Sequence, residues 1–196
     1  GVRAGRRRER NNAPKHNVSA RPRICGAEAM GRALRRSAHE IIERNRDLSA
    51  LVLAGIPKSG VELARRLAAE IEAIAQTKVP TGVIDVSMHR DDFGTRTALP
   101  VVRASHLSQP IDGRTVVLVD DVLFTGRTCR AAMDALGAFG RPACIQFAAL
   151  IDRGHRELPI RPDFVGKNLP TAQGERVRVR LRETDGEPDA VWLEKE

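Results

Sequence analysis

One stretch of this chain, residues 116–128 (VVLVDDVLFTGRT), constrains the fold more than any other. It opens with the apolar, largely β-branched run Val116–Val119, which is typical of a strand buried on both faces of a parallel sheet. Two adjacent carboxylates, Asp120 and Asp121, end the run, and a short turn of small residues leads into a helical pattern over 129–136. Carboxylates at the carboxyl end of a central strand, followed by a turn into a helix, predict a ligand site.

The residue types in this stretch indicate the chemistry of the ligand. The free N–H groups and the dipole at a helix start attract a phosphate, and the hydroxyls of Thr125 and Thr128 add donors. Asp120 and Asp121 are unsuited to a phosphate but suit sugar hydroxyls or a metal ion. A phosphate and a polyol held side by side describe a ribose phosphate. The alternative is a purely structural turn, but the apolar run, the acid pair and the Thr-Gly-x-Thr turn occur together and in order.

Length and composition predict one globular domain. The chain has 196 residues, of which 41% are hydrophobic and 30% are charged. It has no apolar stretch of membrane-spanning length, and its N-terminus lacks the apolar region of a secretory signal. The three cysteines, Cys25, Cys129 and Cys144, are widely spaced without a C-x-x-C motif, which favours reduced thiols in a cytoplasmic protein over disulfides or a zinc site.

The net charge of +8 is concentrated at the N-terminus. Residues 1–23 hold eight of the 33 basic residues and one acidic residue, so residues 24–196 carry a net charge of +1. We expect residues 1–23 to be a disordered basic tail and residues 24–196 to form the functional domain. The tail either contacts RNA or acidic lipid electrostatically, or is a solubilising extension or a translation-start artefact.

Alternating strands and helices predict an α/β fold with a mostly parallel central sheet flanked by helices. Helices are predicted over 26–45, 61–76 and 127–136, and strands over 51–54, 83–88, 115–119, 144–151, 177–181 and 190–193, the last two closing the sheet. The polar stretch 89–97 is predicted to be a mobile loop. Gly55 and Gly60 have the spacing of a nucleotide-binding P-loop, but Val61 and Glu62 stand where that loop needs Lys and Ser or Thr.

The acid pair and the Thr/Gly turn resemble the 5-phosphoribosyl-1-pyrophosphate (PRPP) signature of the type I phosphoribosyltransferases. Further motifs resemble one family among them, the bifunctional pyrimidine operon regulatory proteins that are also uracil phosphoribosyltransferases. These motifs are HEIIERN (39–45), LARRLA (63–68), MHRDD (88–92), MDALGAFGRP (133–142) and IDRGHRELPIRPDFVGKNLPT (151–171). The match covers roughly residues 27–193 and implies the type I phosphoribosyltransferase fold with a small hood region.

The resemblance implies two activities. One is transfer of a phosphoribosyl group from PRPP to uracil, giving UMP and diphosphate, with Mg²⁺ bound together with PRPP. The other is UMP- or UTP-dependent binding to pyrimidine-gene messenger RNA. We also expect a homodimer or homotetramer that does not associate with membranes.

The family's functional residues map onto three groups in this chain. The catalytic group is Asp120 and Asp121, which fix the ribose, and Arg90, which covers the pyrophosphate as its loop closes. The PRPP- and nucleotide-binding group is Lys58, Ser59, Asp120, Asp121, Val122, Leu123, Phe124, Thr125, Gly126, Arg127 and Thr128. The RNA-binding group is Arg35, His39, Arg44, Arg153, Arg156, Arg161 and Lys167. No dedicated metal ligands are identified.

Several positions depart from the family pattern. The residue before Gly60 is normally Arg and here is Ser59, so the pyrophosphate loop loses a bidentate group, for which Lys58 restores the charge but not the fork. Arg35 replaces a Thr, and Phe124 replaces a Tyr in the PRPP loop.

Two other functions therefore stay open. One is a nucleotide-sensing RNA-binding regulator with weak or no transferase activity, which Ser59 favours. The other is a purine-type phosphoribosyltransferase without an RNA role, which the RGHRELPIR block (153–161) disfavours.

Overall fold

Two β-sheets form the framework of the computed structural model, which describes residues 22–87 and 105–195. The strands are β1 (Arg23–Gly26), β2 (Leu51–Gly55), β3 (Thr81–Val83), β4 (Thr115–Leu123), β5 (Cys144–Asp152), β6 (Phe164–Asn168), β7 (Glu175–Arg180) and β8 (Ala190–Lys195). A parallel sheet has the order β3-β2-β4-β5-β6, and a smaller antiparallel sheet has the order β1-β8-β7. The predicted α/β fold with a mostly parallel central sheet is therefore confirmed.

Helices cover both faces of the parallel sheet. They are α1 (Ala27–Arg44), α2 (Ser59–Ala75), α3 (Arg127–Leu136) and the short α4 (Arg182–Asp185). Val117 and Val119 of β4 pack in one core with α1 and α2, and Val116 and Leu118 pack in another with α3. Because alternate residues of a strand point to opposite faces, a strand with a core on each side is apolar at every position. No helix in the described ranges is both long and apolar enough to cross a membrane.

The antiparallel sheet forms the hood region that the resemblance implies. Val177 and Val179 of β7 belong to the same core as α1 and α2, whereas the intervening Arg178 does not. Prediction of the last two strands as edges of the parallel sheet is thus wrong, because they pair with each other and with β1. The alternation of apolar and basic residues in β7 is typical of an antiparallel sheet with one covered face.

The predicted helices are confirmed to within two residues at each end, and the strands less well. The strand predicted over 83–88 overlaps β3, which spans Thr81–Val83, at Val83 only. The chain turns at Asp85, whose carboxylate accepts from the Ser87 N–H at 2.8 Å. Strands β1 and β6 were not predicted. The first strand begins at Arg23, one residue before the expected domain boundary.

The turns after β2 and β4 diverge at the middle of the parallel sheet. From β2 the chain passes through α2 to β3 on one side, and from β4 it passes through α3 to β5 on the other. Such a switch point opens a crevice at the carboxyl ends of the two strands, which is where α/β proteins bind ligands. The fold therefore places the turn after β2 opposite the turn after β4.

Candidate active site

The acid pair lies within β4 rather than after it. The ladder between β2 and β4 stops at Gly55 and Val119, as the predicted boundary requires. On the other side, β4 keeps pairing with β5 through Asp120 and Ala149 and as far as Leu123 and Asp152. The carboxylates are thus held by one ladder in extended backbone at the edge of the crevice.

A cavity of about 290 Å³ lies against the turn between β4 and α3. It is lined by Asp120, residues 122–129, Phe147 and Glu157. All of the predicted 5-phosphate residues, Thr125 to Thr128, line it together. Neither Phe147 nor Glu157 was predicted, because they come from distant parts of the chain.

The start of α3 is shaped to receive an anion. Gly126 is the N-cap residue, has a φ of 95° and provides no side-chain cap. A side chain there is disfavoured by that φ and would also press on Ile160, at 3.3 Å from a Cβ. The Arg127 N–H points to Thr125 Oγ1 at 3.3 Å. A helix start without its own cap offers N–H groups and a positive dipole end to a phosphate.

The two carboxylates of the acid pair border different cavities. Asp120 is 8% exposed and lines the cavity at the start of α3, whereas Asp121 lines a second cavity of about 260 Å³. The difference follows from strand geometry, since neighbouring side chains point to opposite faces. Asp120 accepts from the Asp121 N–H at 2.8 Å, and Asp121 accepts from the Val122 N–H at 2.7 Å, so backbone donors orient both carboxylates. The two carboxylates therefore leave the strand end on opposite faces.

The turn after β2 is pressed directly against β4. Ile56 donates its N–H to the Val119 carbonyl at 2.9 Å, and a Cβ on Gly60 would collide with that same carbonyl oxygen. The peptide bond between Pro57 and Lys58 is cis. Ser59, 7% exposed, begins α2 and lines the second cavity with Lys58. The pyrophosphate-binding role of these two residues stays a prediction. The P-loop-like glycine spacing thus reflects close backbone approach.

The charge of Lys58 is already paired. Its Nζ lies 3.1 Å from Asp185 Oδ1 at the end of α4. Burial alone would raise the pKa of Asp185, but hydrogen bonds from the Leu181 N–H, Lys58 and the Thr184 hydroxyl outweigh it and lower that pKa to about 2. Asp185 therefore stays ionised at neutral pH and joins the turn after β2 to the hood.

Three arginines of the hood complete the second cavity. Arg176, Arg178 and Arg180 alternate along β7 and line this cavity. Arg178 binds Glu194 at 2.7 Å, and Arg180 lies 3.4 Å from Asp185. With Lys58, four basic side chains surround the cavity against the carboxylates of Asp121 and Asp185. Among the lining residues, basic side chains outnumber carboxylates, which suits a polyanion. The sequence analysis did not predict these arginines, although the Arg-Val-Arg-Val-Arg pattern of 176–180 is a signal that could have found them.

The exposed members of the predicted RNA-binding group lie on α1, on the loop before β6 and in β6. Arg35, His39 and Arg44 are exposed on α1, where Arg35 pairs with Glu70 at 3.6 Å and Arg44 with Asp163 at 3.1 Å. Arg161 and Lys167 are also exposed, before and within β6.

The two remaining members of that group, Arg153 and Arg156, make contacts within the domain. Arg153 is 9% exposed, with its guanidinium 4.0 Å from the centre of the Phe124 ring, and it donates to the Glu175 carbonyl at 2.6 Å. Arg156 is half-buried, donates to the Phe124 carbonyl at 2.9 Å and pairs with Asp152 at 2.6 Å. Arg90 lies outside the described residues.

Cys129, which lines the cavity at the start of α3, is not a nucleophile. Burial, followed by the charges of Asp120 and Asp163, raises the pKa of Cys129 to about 12. A thiol with so high a pKa stays protonated at neutral pH, and only the thiolate is an effective nucleophile.

Comparisons with known proteins agree with this geometry. The family profile described as phosphoribosyl transferase domain matches residues 24–184. Two relatives named bifunctional protein PyrR, from Roseiflexus sp. and Chloroflexus aurantiacus, are 56% and 58% identical over 170 residues, which is 87% of this chain and 93% of each relative. Among solved structures, the hypoxanthine phosphoribosyltransferase of Trypanosoma cruzi superposes with a TM-score of 0.67 at 21% identity, covering 89% of this chain and 97% of that one. At that identity the likeness concerns the fold alone.

The pairing of Asp185 predicts a pH dependence of stability. Because the folded-state pKa is about 2 and the unfolded-state value is near 3.9, the contribution is present above pH 4 and is lost as the pH falls towards 2. Urea unfolding at a series of pH values should show the wild type losing about 2 kcal/mol more than Asp185→Asn between pH 5 and pH 2. The exposed Asp134→Asn is the control, and equal losses in wild type and Asp185→Asn would contradict the assignment.

Proposed function

The chain belongs to the bifunctional PyrR family of phosphoribosyltransferase-domain proteins, and we propose that it transfers a phosphoribosyl group from PRPP to uracil and binds pyrimidine-gene messenger RNA in a UMP- or UTP-dependent way. One observation carries the transferase proposal. The acid pair of β4 stands between the cavity at the start of α3, here called the phosphate cavity, and the positively charged second cavity under the hood, here called the diphosphate cavity. This is the order of groups along PRPP, from 5-phosphate through ribose to diphosphate. The cytoplasm is the compartment that this proposal implies.

The reaction replaces one bond at the ribose anomeric carbon with another. The bond from that carbon to the diphosphate oxygen breaks, a bond to N1 of uracil forms, and the N1 proton is released. Positive charge develops on the sugar ring and negative charge on the leaving diphosphate, as in glycoside hydrolysis. Asp120 and Asp121 hold the ribose hydroxyls and stabilise the ring charge, while the basic side chains around the second cavity stabilise the diphosphate.

The donor set fits Mg²⁺ that arrives bound to PRPP. Within the described ranges no group of three or more His, Cys, Asp or Glu is placed to hold a metal ion. Mg²⁺ is commonly bound by one or two carboxylates together with substrate phosphates, and Asp121 is the member of the acid pair that lines the diphosphate cavity. When bound, the cation neutralises charge on the leaving group.

A second candidate function is an RNA-binding nucleotide sensor with little transferase activity. Two observations favour it: Ser59 replaces the bidentate arginine, and Lys58 is paired with Asp185. Uracil-dependent turnover of PRPP by the purified protein distinguishes the two candidates. Hypoxanthine and guanine assayed in place of uracil test the purine-type alternative.

Removing both carboxylates of the acid pair should abolish nucleotide binding. Asp120→Asn with Asp121→Asn leaves the shape of β4 but removes the charge that holds the ribose hydroxyls. We expect no measurable heat of UMP binding by titration calorimetry and a native far-ultraviolet circular dichroism spectrum. Glu28→Gln with Asp134→Asn removes two exposed carboxylates elsewhere and should bind UMP normally. Wild-type UMP affinity in the acid-pair variant would contradict the site.

Restoring an arginine at position 59 should raise transferase activity. Ser59 faces the second cavity, so Ser59→Arg places a guanidinium fork at the diphosphate. A charge-assisted contact of this kind is worth about 1.5–3 kcal/mol, so kcat/KM should increase about tenfold or more. Ser59→Lys supplies charge without the fork and should gain less. An unchanged kcat/KM in Ser59→Arg would mean that the hood arginines already saturate this role.

Specific RNA binding should depend on the folded domain and not on the tail. The probe is a hairpin enriched from a random library by wild-type protein with UMP, compared with its scrambled sequence. Arg161→Ala with Lys167→Ala should remove the preference and lower the salt slope by roughly 0.7–0.9 for each lost phosphate contact. Lys78→Ala with Arg141→Ala, two exposed residues outside the group, is the matched control.

The same probe separates specific binding from electrostatic binding by the tail. A chain starting at Pro22 keeps β1 complete, because Pro22 accepts from the Leu193 N–H at 3.0 Å. It should lose some salt-dependent affinity and keep the preference for the enriched hairpin. Loss of that preference on truncation alone would contradict the assignment of RNA recognition to the domain.

A further inference from the structure

One wall of the phosphate cavity is acidic. Glu157 lines this cavity together with Arg127. Its Oε2 accepts from Arg127 Nε and lies 2.9 Å from Arg127 Nη2 as well. The two side chains are 37% and 55% exposed, so water reaches both. A carboxylate thus binds an arginine of the loop that receives the 5-phosphate.

Glu157 and a nucleotide phosphate compete for the same cation. A phosphate monoester carries nearly two negative charges at pH 7 and binds arginine through two parallel hydrogen bonds, as a carboxylate does. A phosphate at the start of α3 repels the Glu157 carboxylate in the same cavity. An exposed ion pair such as the one between Arg127 and Glu157 is weak enough to be displaced.

The segment that contains Glu157 is seated on the PRPP loop. Three consecutive carbonyls of that loop, those of Leu123, Phe124 and Thr125, accept hydrogen bonds from residues 153–158. The donors are the N–H groups of Arg153 (3.1 Å), Glu157 (2.9 Å) and Leu158 (3.1 Å) and the guanidinium of Arg156 (2.9 Å). A displacement of Glu157 therefore acts on a segment that is hydrogen-bonded to three consecutive residues of the nucleotide loop.

The same segment leads directly to exposed basic residues. Arg156 donates to the Ile160 carbonyl at 2.9 Å, which fixes the chain next to the exposed Arg161. The Phe124 ring contacts His155 edge to face at 5.7 Å and lies under Arg153. Glu157 is thus four residues from one of the candidate RNA contacts and bound to the loop that receives the nucleotide.

We propose that Glu157 is the nucleotide-sensing residue of this chain. It pairs with Arg127 when the phosphate cavity is empty, and the 5-phosphate of UMP displaces it. This displacement repositions residues 153–161 for RNA binding. The inference rests on the proposed function and adds the residue through which the nucleotide acts. Glu157 is a positioning residue that acts through Arg127 and makes no contact with the reacting atoms. Reciprocity requires that RNA raise UMP affinity by the same factor by which UMP raises RNA affinity.

The test is a binding cycle with full-length protein, UMP and the enriched hairpin. Glu157→Gln removes the competing charge with little change in shape. It should bind UMP about two- to fivefold more tightly in the absence of RNA, the range expected for loss of an exposed ion pair. The factor by which UMP tightens hairpin binding should fall towards one. The control Glu28→Gln changes the net charge equally and removes an exposed pair with Arg32, and it should keep wild-type values for both quantities.

Each result bears on one of the two proposals. Failure of the wild type to bind UMP, or to bind the hairpin more tightly with UMP, overturns the proposed function. A wild type that does both, beside a Glu157→Gln variant with unchanged UMP affinity, overturns the role of Glu157 as a competitor. Tighter UMP binding with an undiminished coupling factor overturns its role as the link to RNA. A native circular dichroism spectrum of the variant accompanies each measurement.

Discussion

The asymmetric pairing of β4 is the constraint on which the site depends. One neighbour, β2, leaves the ladder at Val119, while the other, β5, continues as far as Leu123. The last residues of β4 are therefore extended and rigid on one side and open to the crevice on the other. Asp120 and Asp121 stand at this open edge, so strand alternation alone directs them into two separate cavities. A regular turn starting after Val119 would not separate them in this way.

The hood is joined to the core by ion pairs that converge on a short segment, residues 182–189. Arg66 of α2 binds Glu183 at 2.7 Å and Asp189 at 2.8 Å, and Lys58 binds Asp185. Hydrogen bonds from Arg66 lower the pKa of Asp189, which keeps it ionised. Because these contacts come from the turn after β2 and from α2, they position the hood arginines around the second cavity. Ser59, which stands where the family pattern has an arginine, therefore lines the same cavity as the three arginines of β7.

The sequence predicted the parts of the site that are continuous in the chain. Residues 120–128 carry an apolar run, an acid pair and a glycine turn in one stretch, and the strand, cavity and helix follow from local rules. Glu157, Phe147 and the β7 arginines were not predicted because topology, and not spacing, brings them to the cavities. The hood strands were assigned to the parallel sheet because a strand pattern contains no information about its partner. Arg90 stays a prediction.

The RGHRELPIR block combines two physical roles that a sequence motif cannot separate. Arg153 and Arg156 make contacts within the domain. Arg153 lies over the Phe124 ring and donates to the Thr171 hydroxyl, and Arg156 binds Asp152 and the Phe124 carbonyl. Of the three arginines in the block only Arg161, at its end, is exposed, so the number of basic residues in the block overstates its exposed positive charge. The buried arginines instead fix the exposed one relative to the PRPP loop. The role proposed for Glu157 needs this rigidity as much as it needs surface charge, because a loosely held segment would not transmit the small displacement of a single carboxylate.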